Sequence, residues 1–322
     1  MKNKNNFFVN ISQGFGNKIF SIIVGLYIKY VNDANFYIRI KKSFHESNDD
    51  LSILEIFPKL KKYVNIVKDE INNIYKDYEI QHIHCNNISN LDDFKFKFEN
   101  IILHVHGTSS CYRHIFEIYN KLPKEYSDVF EMNKKHITKE IQKLANSEYI
   151  AIHIRYGDKL NITYRHFYQF NKFPTRYAFL MYTPEYYKII IAHYLKRNKK
   201  IYILSDDIKI VKEFICKDFM SNKNLFILDL PLFESFYILK NSYKLFMSVS
   251  TFSFLALLLN KKIKTAFYLK RPSELNKFTT PEEKYIKSDK IKFIYNRKYI
   301  LNDNLNLIKK MISYQKYKYK KK

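Results

Sequence analysis

The chain has 322 residues, of which 46% are hydrophobic and 17% aromatic; this excludes a disordered protein and leaves length for two domains, each with its own core. Its formal charge of +25 comes from lysines spread among Asn, Ile and Tyr, not from one basic face, so nucleic acid is not the expected partner. Three separated cysteines, Cys85, Cys111 and Cys216, argue against a disulfide framework and against a CxxC metal site.

In chain order, Phe7 to Ile11 reads as a strand, Ser12 to Gly16 as a turn, and Asn17 to Val31 as an apolar helix. Further strands are expected at Asn35 to Ile40, Glu79 to His84 and Ile101 to His106, with helical pieces around Leu51 to Leu60 and Tyr112 to Leu122. This first part is placed at 1–133. The spacing of Ile137, Ile141 and Leu144 predicts an amphipathic helix leading into a second domain, 134–300.

There the alternation is cleaner. A strand at Tyr149 to Ile154 is followed by an aromatic stretch to Tyr182, read as irregular; its part from Tyr164 to Tyr182 either packs in a core or forms a wall on which an acceptor sugar could stack. Thr183 is expected to cap a helix that has Pro184 at its first position and runs to about Arg197. Strands at Ile201 to Leu204, Leu225 to Leu230, Leu245 to Val249 and Lys264 to Leu269 then alternate with helices at Ile208 to Cys216, Ser235 to Tyr243 and Phe252 to Asn260. Strand and helix in strict alternation imply parallel sheets with right-handed crossovers. A closing helix, Asn302 to Tyr314, and a basic tail occupy 301–322, and Tyr314 to Lys322 reads as a solvated end or as a single-strand binder. The apolar runs Ile19 to Ile28 and Leu245 to Leu259 are shorter than the roughly 20 residues of a spanning helix. The start MKNKNNFFVN lacks a signal-peptide core, so a cytoplasmic or membrane-peripheral protein is expected.

Three of the five glycines fall in two motifs. Gly14-Phe15-Gly16-Asn17 either brings backbone amides and Asn17 to a ligand at a helix start or is a tight turn with Asn17 as the cap. His153-Ile154-Arg155-Tyr156-Gly157-Asp158 closes a strand. Its Arg155 is either a rigid fork for phosphate oxygens or one half of a strand-end salt bridge with Asp158, and in that second reading His153 is a satisfied core histidine. Ser205-Asp206-Asp207 follows the next strand and either meets a ribose or base or caps a helix. Ser250-Thr251-Phe252 starts another helix, where hydroxyls and amides suit a phosphate or simply an N-cap. Three successive strand-to-helix corners thus carry Arg/His, Asp/Asp and Ser/Thr at one sheet edge.

Taken in order, these residues resemble the inverting GDP-fucose-using α-1,2-fucosyltransferases of glycosyltransferase family 11. The resemblance runs through Gly14-Phe15-Gly16-Asn17-Lys18-Ile19-Phe20, His153-Ile154-Arg155-Tyr156-Gly157-Asp158, Tyr186-Tyr187, Ser205-Asp206-Asp207 and Ser250-Thr251-Phe252-Ser253, across roughly residues 7 to 270. It implies an α/β fold of the GT-B type, two Rossmann-like domains with parallel sheets facing a central cleft, and no metal or other cofactor. It also implies that Arg155 holds the donor diphosphate, with His153 beside the nucleotide. Ser205, Asp206 and Asp207 would meet the ribose or guanine, Ser250, Thr251 and Phe252 would line the phosphate and sugar, and Gly14, Gly16 and Asn17 would approach from the acceptor-side domain. Arg155 and Asp158 are the catalytic candidates, Asp158 as the base. The chain departs from the family pattern at Lys18 in place of Gln, at Tyr156 in place of a second Arg, and at Phe254-Leu255 in place of Trp-Trp. Lys159 or Lys18 could replace the missing cation. The expected partners are a nucleotide sugar and a glycan acceptor. A transferase of the same fold using another nucleotide sugar, or an inactive relative acting as a basic nucleic-acid or glycan-binding module, are the alternatives.

Overall fold

The computed structural model describes residues 6–11, 14–40, 52–67, 79–84, 91–95, 101–106, 114–170, 181–269, 291–294, 301 and 304–319. These fall into two compact units, the first ending at His136 and the second beginning at Ile137.

The first unit is built on a parallel sheet in the order β3-β2-β1-β5-β4. Its strands are β1 (Asn6–Ile11), β2 (Asn35–Ile40), β3 (Asn65–Val67), β4 (Glu79–His84) and β5 (Ile101–His106). Phe7, Phe8 and Val9 are fully buried, as a strand covered on both faces requires. Register places Phe7 opposite Phe36 and Phe8 opposite Tyr37, and both ring pairs stack, at 5.0 Å and 4.9 Å between centroids. The helix Phe15–Asn32 is buried from Phe15 to Ile28 except at Asn17, so its apolar character serves a core position. It ends at Asp33, whose φ of 44° is left-handed and whose N–H donates to the Lys29 carbonyl.

The second unit carries β6 (Ile150–Ile154), β7 (Ile201–Ser205), β8 (Leu225–Leu228), β9 (Lys244–Phe246), β10 (Thr265–Leu269) and β11 (Ile291–Ile294), all parallel, in the order β11-β10-β9-β6-β7-β8. Chain order reverses between β6 and β9. In doubly wound sheets the connections on either side of such a reversal leave in opposite directions, which opens a crevice at the strands' carboxyl ends. All five residues of β6 are buried, as befits a central strand.

Several expectations are corrected. The stretch after β6, read as irregular, forms a helix over Gly157–Phe170; its start is fastened by a carboxylate from another corner, a contact invisible in local sequence. The rest of the supposed acceptor wall, 171–180, lies outside the described residues. Thr183 holds the cap position of the helix Pro184–Leu195 as expected, with Pro184 in the first turn, but its hydroxyl makes no cap bond. Asn17 lies inside its helix, and the cap position belongs to Gly14. The helix expected at Ile208 to Cys216 passes at Val211–Cys216 into a π-helical turn. The closing helix spans Leu305–Tyr319 and so takes up most of the tail read as a solvated end. The short strands β3 and β11 had no distinct signal, since three or four residues are too few for a period to show. No helix among the described residues is long and apolar enough to cross a membrane.

Candidate functional site

His153 lies on β6 opposite Leu204 of β7, with only 6% of its surface exposed. Its Nδ1 faces two hydroxyls, Ser248 Oγ at 2.7 Å and Ser253 Oγ at 3.1 Å, and its ring lies 5.5 Å from that of Phe252. Ser253 Oγ in turn donates to the carbonyls of Ser248 (3.0 Å) and Ser250 (3.2 Å). The imidazole thus fastens the β9 corner to β6. Burial, with Arg155 and Lys159 nearby, depresses its pKa from 6.5 to about 3, so it is neutral at physiological pH. Because the unfolded chain binds this proton at higher pH than the folded one, stability is complete above about 6.5 and is lost as pH falls toward 3. The loss is roughly 1.4 kcal/mol per pH unit within that window. Urea melts at pH 7, 6 and 5 check this: the midpoint of the wild type falls faster with acid than that of His153→Gln, which cannot titrate there.

Arg155 follows the end of β6 with its side chain 33% exposed. Its Nη1 donates to Ser250 Oγ at 3.2 Å, while Nη2 and Nε face the Asp158 carboxylate at 3.2–3.4 Å. Ser250 also caps the helix Thr251–Leu258, its hydroxyl accepting from Phe252 N at 3.3 Å. A guanidinium, a hydroxyl and the positive end of a helix therefore meet at the reversal point, a combination suited to phosphate oxygens. Thr251 and Phe252 are partly exposed at that helix start.

Asp206 reaches across from the β7 corner. Its Oδ1 accepts from Tyr156 N (2.9 Å) and Gly157 N (3.1 Å), capping the helix Gly157–Phe170, while Oδ2 lies 3.8 Å from Arg155 Nε. Burial raises its pKa, against the lowering pull of the Gly157 amide, Arg155 and the Tyr156 amide. A Cβ at Gly157 would approach Asp206 Oδ2 to 2.9 Å and Cγ to 3.0 Å, so the glycine makes room for this clasp. Gly157→Ala is expected to destabilise by about 1–2 kcal/mol, read from urea melts. Asp207 points the other way. It caps its own helical turn through Ile210 N (3.0 Å) and accepts from Gln315 Nε2 of the closing helix. Ser205 Oγ accepts from Asp207 N at 3.1 Å.

At the position where the resemblance puts a second Arg, Tyr156 is fully buried and its hydroxyl donates to the Tyr182 carbonyl at 2.6 Å. Burial pushes this phenol's pKa up. The position therefore serves the core. The cation that accompanies Arg155 at this corner is Lys159, 2% exposed, whose ammonium donates to the Val249 carbonyl.

The structure thus brings His153, Arg155, Asp158, Asp206, Ser250 and Phe252 together in the second unit. Gly14, Gly16 and Asn17 belong to the first. Gly14 is exposed, with open space where a Cβ would be; its carbonyl accepts from Lys18 N at 3.2 Å, Gly16 is buried, and the Asn17 carbonyl accepts from Ser21 Oγ.

No protein-family model and no curated protein sequence matches the chain. Solved structures do. POFUT1 in complex with GDP superposes with a TM-score of 0.51 at 12% identity, over 83% of this chain and 98% of that one. POFUT1 in complex with GDP-fucose gives 0.51 at 11% identity, over 81% and 97%. The NodZ alpha-1,6-fucosyltransferase co-crystallized with GDP gives 0.46 at 13% identity, over 84% and 97%. The fold is of the GT-B class.

In that fold the second unit supplies the better-formed corner, and sequence reading missed part of it. Ser253 closes the motif Ser250-Thr251-Phe252-Ser253 but had no role assigned to it, and Ser248 and Gln315 were not candidates, because their partners, His153 and Asp207, are about 100 residues away in sequence. Only the hydroxyl-rich run Ser248 to Ser253 hinted at two of them.

Proposed function

We propose that the protein is an inverting glycosyltransferase that moves fucose from GDP-fucose to a hydroxyl of a glycan acceptor, in the manner of the α-1,2-fucosyltransferases, without a metal ion. The observation that carries this reading is Arg155, held at the strand-order reversal between a helix-capping hydroxyl and two carboxylates. POFUT1, which shares the fold, was solved with GDP and with GDP-fucose. In the proposed reaction the acceptor oxygen forms a bond to the sugar C1 as the bond from C1 to the β-phosphate oxygen breaks. The electron pair leaves with GDP and the acceptor proton passes to a base, for which Asp158 is the candidate. Arg155, Ser250 and the amides starting the helix Thr251–Leu258 stabilise the charge gathering on the diphosphate, the task a metal performs elsewhere. Ser205, Asp206, Thr251 and Phe252 remain donor-side candidates in this reading, and Gly14, Gly16 and Asn17 are assigned to the sugar end.

The test is incubation with GDP-fucose and a glycan acceptor array, with and without EDTA, following GDP release and product linkage. EDTA-insensitive fucosylation with inverted stereochemistry is expected. A thermal-shift screen addresses the donor: preferential stabilisation by UDP over GDP would discard the fucosyl reading in favour of another nucleotide sugar.

A further inference from the structure

Resting on that reading, we propose that Asp158 is an internal stand-in for the donor diphosphate: it occupies the Arg155 fork in the ligand-free protein, yields it when the diphosphate binds, and thereby sets donor affinity. The guanidinium edge formed by Nε and Nη2 is the edge that would take two phosphate oxygens side by side, and Asp158 covers it, with Oδ1 at 3.4 Å from both nitrogens and Oδ2 at 3.2 Å from Nη2. A carboxylate and a diphosphate cannot share it.

The two acids at this corner are held very differently. Asp206 is fixed by two backbone amides and by the space that Gly157 leaves for it, so it stays. Asp158, in the first turn of its helix, has a side chain 48% exposed, and Arg155 is its one hydrogen-bonding partner among the described residues. An exposed ion pair of this kind is weak, whereas an arginine–phosphate contact backed by a helix start is stronger, so the exchange runs in the donor's favour. Ser250 stays on Nη1 throughout and keeps the guanidinium in plane while its other edge changes partner.

The experiment is calorimetric titration of GDP and of inorganic pyrophosphate into the wild type, Asp158→Asn and Asp158→Ala, with Asp218→Asn as a charge control at the separate Lys188 pair. Both Asp158 variants should bind GDP and pyrophosphate roughly tenfold more tightly than the wild type, with Asp218→Asn unchanged. Equal or weaker binding by the Asp158 variants overturns the inference, as does equal tightening in Asp218→Asn, which would make the effect one of net charge. If the wild type binds GDP and the Asp158 variants do not tighten, only this inference fails. If the wild type binds neither GDP nor pyrophosphate, the transferase reading fails with it.

Discussion

Arg155→Lys is expected to lower kcat/KM for the proposed transfer by about 100-fold or more while leaving the fold intact. The side chain serves through its shape. Nη1 meets Ser250 while the opposite edge meets Asp158, so the planar fork holds two partners at once and presents both edges at the reversal point between β6 and β9. Lysine keeps the charge but is a flexible point cation, and it cannot span Ser250 and an anion together. The side chain is a third exposed and its carboxylate partners, Asp158 and Asp206, lie at the surface, so urea melts should differ from wild type by less than about 1 kcal/mol. Steady-state kinetics with GDP-fucose checks the loss, and turnover near wild type would remove Arg155 from the leaving-group role. Because position 156 packs into the core, Tyr156→Arg is no route to rescue: it would place a cation against the Tyr182 carbonyl and the Tyr187 ring instead of beside a phosphate.

Gly25→Ala carries the largest expected effect on stability. A Cβ at this position would come within 2.1 Å of Phe36 Cζ and 2.6 Å of both Cε atoms. Phe36 is fully buried and lies flat on Phe7, with an interplanar angle of 2° and 5.0 Å between centroids, so its ring has nowhere to move without disturbing β1. Alanine would gain up to about 1 kcal/mol of helix propensity over glycine, but the overlap with a locked core ring outweighs it, and a net loss of about 2 kcal/mol or more is expected. The fall in urea midpoint reads this directly, and a stability equal to wild type would mean that helix and sheet have slack at this point. The glycine is there to let the helix Phe15–Asn32 approach β2 closely, a reason of packing and not of ligand binding.

Much of the architecture was legible because it depends on period and order. Alternating apolar runs located β1, β2 and β4 through β10, and their alternation with helices implied the parallel sheets. The corners were legible too, since Arg155, Asp206 and Ser250 each follow a strand end. Their division of labour was not. Asp206 and Asp207 are adjacent and chemically identical, yet one clasps the amides of Tyr156 and Gly157 while the other caps its own turn and accepts from Gln315. His153 reads in sequence either as a ligand neighbour or as a satisfied core histidine, and the structure shows a buried, neutral tie to Ser248 and Ser253.

The sequence by itself determined the class of fold and the strand ends at which charged and hydroxyl side chains gather, because both are written in local periodicity and residue type. Only the tertiary structure decided which of these side chains stay partly exposed at the strand-end corner and which are buried in the core. Those choices depend on partners about 100 residues apart, such as Arg155 with Ser250, that meet only when strand order reverses between β6 and β9.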